Sequence, residues 1–386
     1  MDSAQLTTIK GLFFYGYDSP PHEFKNVGVE KKVEAQIKAF NQSGLPCRQI
    51  KYTKRFSVTV LSKIIMRLPF TGPIGYCLSK YKSEFDGFDF YYIRRPWFLS
   101  LPTLLAIRKI RRRNPYAVIL YEFWTYPFKK ELTNRISGYP FWFKDICYMH
   151  FLKRYINRYI TVSNHNSISG VPAIKMMNGI DLDSISPADP LPDDGIIHVI
   201  AVAKITVWHG YDRFLMGMAQ YYKSVGDRNI VLHIVGAGAG WQKLDEMIKE
   251  LKLEQNVIMH GFKIGTELDC IYNRCSLGLI SLATQDKDIY VHSTLKSREY
   301  MAKGLPTIAA GITDVFIDVD YKYNLELTTD EKVVDMNKVI EFYDRIYQST
   351  PRQKVIAEIR EFAERTIAIQ NTMEPVIQYI KDNVIR

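Results

Sequence analysis

Ser293-Thr-Leu-Lys-Ser-Arg-Glu-Tyr-Met-Ala-Lys-Gly-Leu-Pro306 decides how the chain is read. Ser293 and Thr294 suit the entry to a helix, because their hydroxyls accept the first free amides. Leu295, Arg298, Glu299, Met301 and Ala302 are good helix residues. Gly304 suits the C-terminal cap, and Pro306 forbids continuation. Thr307-Ile-Ala-Ala310 then reads as a short buried strand. Lys296 falls in the first turn, where a cation opposes the helix dipole unless an anion lies there too. A phosphate at that terminus resolves the conflict. Glu299, one turn further in, is placed to accept hydrogen bonds from a ribose. Read as an isolated segment, the stretch equally describes a surface helix.

The flanking sequence is α/β. Ile196-Ile-His-Val-Ile-Ala-Val-Ala203 is a buried strand running into Lys204 and then His209-Gly210, with a helix from Tyr211 to Tyr222. Asn229 to Gly240 is a strand that enters a glycine-rich turn. It fails as a dinucleotide fingerprint, because Trp241 stands where the third glycine belongs and His260-Gly261 where an acid should close the next strand. Gly236 and Gly238 nonetheless leave room for a nucleotide. Strands are expected at 256–262 and 275–281, a helix at 265–273, and helices at 331–347, 352–365 and 367–386.

The opening stretch resembles the donor-binding segment of glycosyltransferase family 4, whose usual text is Glu, seven residues, Glu-Ala-Met-Ala-x-Gly-x-Pro. Glu299 falls on the second glutamate, and Val291 holds the place of the first. Asn178-Gly-Ile-Asp181 is similar to the family's Asn-Gly-Val/Ile-Asp segment. Lys204 stands where an arginine grips the diphosphate, and His209 where a lysine precedes the glycine. The resemblance implies the GT-B fold: two Rossmann-like, doubly wound parallel-sheet domains with a cleft between them. It implies retaining transfer from a nucleoside diphosphate sugar, UDP- or GDP-linked, to a saccharide or lipid-linked acceptor in surface polysaccharide synthesis. Phe262, Lys263 and Ile264 then fall at the nucleotide base. Ser293, Thr294, Leu295 and Lys296 fall at the phosphates, with Lys204 and Glu299 as catalytic-site residues. No metal or other cofactor is expected, since amides and cations can carry the leaving charge.

The N-terminal half begins with a βαβ unit: a strand at 9–16, a helix at 28–40 with apolar residues at 29, 33, 37 and 40, and a strand from Cys47. Gly28 either faces the donor phosphate, as the resemblance implies, or is a plain turn glycine. Lys54 to Leu68 is basic and amphipathic. It either lies on an anionic membrane or packs on the sheet with a solvated basic edge. Arg94-Arg95 follows a strand at 90–93, beyond whose end ligands bind in open α/β sheets. The alternative for them is a surface salt bridge. Arg111-Arg-Arg113 ends a helix, where cations suit the dipole. Glu122 closes a buried strand at 116–122, near the place of a family histidine, and it or a neighbour is read as handling the acceptor. Ser186 to Gly195 is the linker, giving domains at 1–185 and 186–366. The segment 367–386 is expected to return to the first.

At 386 residues the chain holds two full cores. It has no apolar run long enough to span a bilayer and no signal-peptide pattern. Five scattered cysteines suggest a reduced, cytoplasmic chain, peripheral on a membrane if attached at all. Residues 1–180 hold 28 Lys and Arg against 11 Asp and Glu, a net +17. Residues 181–386 hold 23 against 30, a net −7. The first half therefore expects an anionic partner. Nucleic acid is disfavoured, because no recognition helix, finger spacing or RNP-like motif is present. A non-catalytic sugar-nucleotide-binding protein is the remaining rival, kept open by Val291, Lys204 and His209.

Overall fold

A computed structural model describes residues 8–16, 27–51, 59–73, 76–133, 136–224, 226–283 and 291–385. The chain divides into two compact units, 1–177 with 372–386, and 178–371. The division falls at Met177/Asn178, ahead of the proline-rich stretch at 186–195. That stretch is held to the second unit by Ala188 N–H on Lys303 O and Leu191 N–H on Asn273 O.

The first unit runs β1 (Gly11–Phe14), α1 (Val27–Gln42), β2 (Cys47–Ile50), α2 (Val60–Ile65), β3 (Phe90–Arg94), α3 (Leu101–Arg113), β4 (Val118–Phe123), α4 (Lys129–Thr133), α5 (Tyr139–Leu152), β5 (Arg158–Thr161), β6 (Ser167–Ile168) and β7 (Val171–Lys175). Its sheet has the order β2-β1-β3-β4-β5-β7-β6, parallel except for the β6–β7 pair. The central strands are buried along their whole length. Their near-continuous apolar text is what a sheet covered on both faces requires.

Two sequence expectations bear on these elements. Of the amphipathic stretch at 54–68, α2 forms the part Val60–Ile65, capped by Thr59; residues 52–58 lie outside the described residues. Arg94 and Arg95 are neither phosphate-facing nor on the surface. Both are buried, Arg94 on Glu122 at 3.0 Å and Arg95 on Asp145 at 2.8 Å. Arg95 also lies over the Phe128 ring at 4.1 Å. Arg111 does more than complement a dipole: it donates to the carbonyls of Tyr155, Pro115 and Ala117, tying the end of α3 to its neighbours.

The second unit runs β8 (Ile197–Lys204), α6 (Tyr211–Ser224), β9 (Ile230–Ala237), α7 (Trp241–Glu250), β10 (Val257–Gly261), α8 (Thr266–Arg274), β11 (Leu277–Leu279), β12 (Val291–His292), α9 (Leu295–Lys303), β13 (Thr307–Ala310), β14 (Ile312–Thr313), β15 (Asn324–Leu327), α10 (Met336–Tyr347) and α11 (Arg352–Thr366). The last helix, α12 (Ile369–Asn383), begins here, and from Thr372 its residues count with the first unit. There Met373 Sδ accepts from Gln36, and Tyr379 stacks under Arg158.

The main sheet of the second unit is fully parallel, in the order β10-β9-β8-β11-β13-β15. Numbered from its own first strand this is 3-2-1-4-5-6, the Rossmann order. Its strand sequence reverses between β8 and β11, and ligands in such sheets bind beyond the strand ends at that reversal. A separate two-stranded parallel ribbon joins β12 to β14.

Candidate functional site

The reversal between β8 and β11 is where α9 is anchored. The two strands pair only at Leu277↔Val199 and Gly278↔Ile200. Beyond that, the Tyr300 hydroxyl from α9 spans the gap: it accepts Val202 N–H at 2.8 Å and donates to Leu279 O at 3.2 Å. Gly278 makes room for the ring, since a Cβ there would lie 2.6 Å from it. Burial of Tyr300 therefore aims the start of α9 at the strand ends.

That start is built as its sequence suggests. Thr294 is the N-cap, accepting Ser297 N–H, and Gly304 is the C-cap at φ 78°. Gly304 takes that left-handed conformation at little cost. The amides of Leu295 and Lys296 lie in the same first turn. The Ser293 hydroxyl, by contrast, is committed to the fold: it accepts Asn178 N–H at 2.9 Å and an Arg298 N–H at 3.0 Å.

Arg298 is wholly buried. It also donates to Asn178 O at 2.7 Å and Asp314 Oδ1 at 2.6 Å. One guanidinium thus ties the Asn178-Gly-Ile-Asp181 segment, the α9 entry and the exit of β14 together. Nothing local in the sequence signals this organising role, although Arg298 stands inside the decisive stretch.

Lys296 folds back over the reversal. Its ammonium donates to Ser281 Oγ at 3.1 Å and reaches Ile280 O and Tyr211 Oη, each at 3.4 Å. None of these partners is charged. Desolvation lowers its pKa from 10.5 to about 7, the expected response of an ammonium that meets no counter-ion among the described residues. Tyr211 and Ser281, which no motif in the sequence marks, complete this site.

Lys204 is the exposed last residue of β8. In the turn that follows, His209 stacks on Tyr211 at 5.3 Å, and its Nδ1 accepts Thr206 N–H at 3.1 Å. That leaves the proton of the neutral ring on Nε2. Glu299 is partly buried. Burial, then the charge of Glu299, push the Tyr272 phenol well above its ordinary range, which sets the carboxylate close to that hydroxyl. Phe262 and Lys263 lie in the loop after β10, Phe262 exposed and Lys263 paired with Glu267 at 2.6 Å. Val291 is exposed at the start of the ribbon. Asp286 and Asp288, the acids that precede Val291 and could stand in for the glutamate it replaces, lie outside the described residues.

Two expectations drawn from the sequence, those on Gly236 with Gly238 and on Glu122, take a different form. Gly236 and Gly238 are required by the chain itself. A Cβ at Gly236 would lie 1.8 Å from Ala203 O, and one at Gly238 2.3 Å from Ile205 O. Close approach of two strand ends explains both glycines without a nucleotide. Gly28 stands in the first turn of α1, the helix entry at which the sequence places it, in the first unit.

Glu122, also in the first unit, is 1% exposed. Lys32 donates to it at 2.7 Å and Arg94 at 3.0 Å. Burial alone would raise its pKa, but Arg94 and Lys32 outweigh burial and hold it at about 2. A carboxylate so enclosed is matched to holding β3, β4 and α1 together, not to exchanging protons near neutrality.

Residues 197–338 match the family described as glycosyl transferases group 1. No curated protein sequence matches the chain. Among solved structures, a glycosyltransferase from Rickettsia africae is 13% identical with a TM-score of 0.64, covering 97% of this chain and 98% of its own. Sucrose-phosphate synthase from Thermosynechococcus elongatus is 13% identical at 0.65, with the same coverage of 97% and 98%. HepE from Anabaena, solved in complex with UDP-glucose, is 13% identical at 0.59, covering 97% of this chain and 100% of its own. These likenesses establish the fold as GT-B, with two Rossmann-like units.

Proposed function

We propose that the protein is a retaining glycosyltransferase of family 4. It moves a sugar from a nucleoside diphosphate sugar to a saccharide or lipid-linked acceptor in surface polysaccharide synthesis. The observation that carries the reading is the Lys296 ammonium, set among neutral groups of the described residues where β8 and β11 part, beside the first turn of α9. A diphosphate placed there satisfies the first-turn amides, the helix dipole and the ammonium at once. The match over 197–338 and the UDP-glucose complex of HepE support it.

In this reading, the negative charge on the departing diphosphate is stabilised by the amides of Leu295 and Lys296, by Lys296 Nζ and by Lys204. The His209 Nε2 proton is a further donor. Glu299 receives ribose hydroxyls, and the loop at Phe262 and Lys263 receives the base. Glu122 is left out of the chemistry. The test is a thermal-shift panel with UDP and GDP, followed by hydrolysis of the matching nucleotide sugars with and without EDTA. One nucleotide should raise the melting temperature by mass action, and turnover should persist in EDTA. No shift with any nucleoside diphosphate rejects the reading.

A further inference from the structure

The first unit carries a surface that the transfer reaction leaves unused. Leu61, Ile64, Ile65, Leu68 and Phe70 stand exposed on α2 and the turn after it, Phe70 by 72%. On α5 and its approach, Ile136, Tyr139, Phe143, Ile146 and Phe151 are exposed as well, Ile136 by 90% and Phe143 by 66%. Positions 139, 143 and 146 recur at helical spacing, so α5 presents a stripe to solvent.

The two segments form one face because they are bolted together. Lys144 Nζ, rooted in α5, donates to the carbonyls of Met66, Leu68 and Thr71 at 2.9, 2.7 and 2.8 Å. Tyr148 Oη donates to Pro69 O at 2.7 Å. Met66, Phe98 and Phe141 form a small core beneath. This scaffold holds apolar side chains outward, where burial would have been the default. Soluble surfaces seldom expose a contiguous apolar face of this extent without a partner.

The charge on the face selects the partner. Residues 59–73 hold no acid, and residues 136–154 hold one, Asp145, which is buried against Arg95. The accessible charges along these segments are cationic, Arg67, Lys153 and Arg154. Apolar groups among cations, without exposed acids, match an anionic bilayer interface better than a protein surface of mixed charge. Among the described residues no helix is long and apolar enough to cross a membrane, so the contact is with the interface.

We propose that the face formed by α2, the turn at 66–70 and α5 docks the protein on an anionic lipid bilayer, with Phe70 and Phe143 among the inserted side chains. The inference stands independently of the transfer reaction. The test is flotation of the full chain with vesicles of phosphatidylcholine alone, and with about one third phosphatidylglycerol. The double variants Phe70→Ser/Phe143→Ser and Lys153→Gln/Arg154→Gln are run alongside, with melting temperature as the folding control. The wild type should float with the anionic vesicles, and at least about tenfold less with neutral ones. The aromatic variant should lose binding by about tenfold or more with its melting temperature unchanged. The charge variant should lose it less, and most visibly at low salt. Equal flotation with both vesicle types overturns the proposal, as does binding that neither variant weakens. Absence of vesicle binding together with a dimer that Phe70→Ser/Phe143→Ser dissolves assigns the face to a second copy and also overturns it. Nucleotide-induced thermal shifts should be the same in wild type and variants, so this proposal and the functional one fail separately.

Discussion

Lys296 makes the functional reading quantitative. Its pKa falls from 10.5 to about 7 because its ammonium is desolvated among neutral partners. At 1.36 kcal/mol per unit, the fold tolerates roughly 5 kcal/mol of disfavoured charge there. In the folded state Lys296 binds fewer protons between pH 7 and 10.5 than it does unfolded, so its contribution to stability improves as pH rises through that window. A diphosphate reverses the balance by restoring the protonated form. Nucleoside diphosphate affinity should therefore fall about tenfold per pH unit above pH 7, or about 100-fold by pH 9. The terminal phosphate, with a pKa near ~6, is already ionised over that range and adds no slope. Isothermal titration calorimetry at pH 7, 8 and 9, in two buffers of different ionisation enthalpy, measures both the slope and the proton taken up. Lys296→Met should bind more weakly at pH 7, show a flat profile, take up no proton and be the more stable protein without ligand. A wild-type affinity that is level from pH 7 to 9, or a slope that survives in Lys296→Met, refutes the reasoning.

Other perturbations address the scaffold. Glu122→Gln leaves Lys32 and Arg94 facing each other without their shared anion, and should cost about 3–5 kcal/mol in urea unfolding at neutral pH. In the wild type the carboxylate's contribution should be full above pH 4.5 and fade as pH falls toward about 2. Arg298→Met removes the donor to Asn178 O, Ser293 Oγ and Asp314; a loss of about 3–5 kcal/mol is expected, with nucleotide binding weakened as the α9 entry loosens. Gly236→Ala should destabilise far more than Gly170→Ala. Both glycines have positive φ, but only Gly236 would drive a Cβ to 1.8 Å from a carbonyl oxygen, while Gly170 meets nothing within 4 Å. Equal melting temperatures for the two variants would contradict the packing account.

The parts of this architecture that are legible in the sequence are those written locally. Thr294, Gly304 and Pro306 punctuate α9 within a few residues, and the structure caps the helix on Thr294 and Gly304. The apolar runs at 90–93, 118–121 and 197–203 are β3, β4 and β8, because buried parallel strands need apolar residues on both faces. What stays hidden is what depends on distant partners. Glu122 meets Lys32 and Arg94 from elements 90 and 28 residues away, and no local pattern announces that a strand-end acid is already neutralised. Gly236 and Gly238 look like a nucleotide turn because the need for glycine is the same whether a phosphate or a neighbouring carbonyl approaches. Helix α5 is hard to see because Tyr139 to Leu152 is apolar nearly all round, so its helical period is weak. The order β10-β9-β8-β11-β13-β15, whose reversal between β8 and β11 lies under Lys296, exists only in three dimensions.

The most direct measurement is an experimental structure of the protein with a bound nucleoside diphosphate sugar. The account predicts a phosphate within about 3.5 Å of the Leu295 or Lys296 amide and of Lys296 Nζ, with Glu299 on the ribose. A diphosphate bound away from the N-terminus of α9, with Lys296 still turned onto Ser281 and Tyr211, would contradict it.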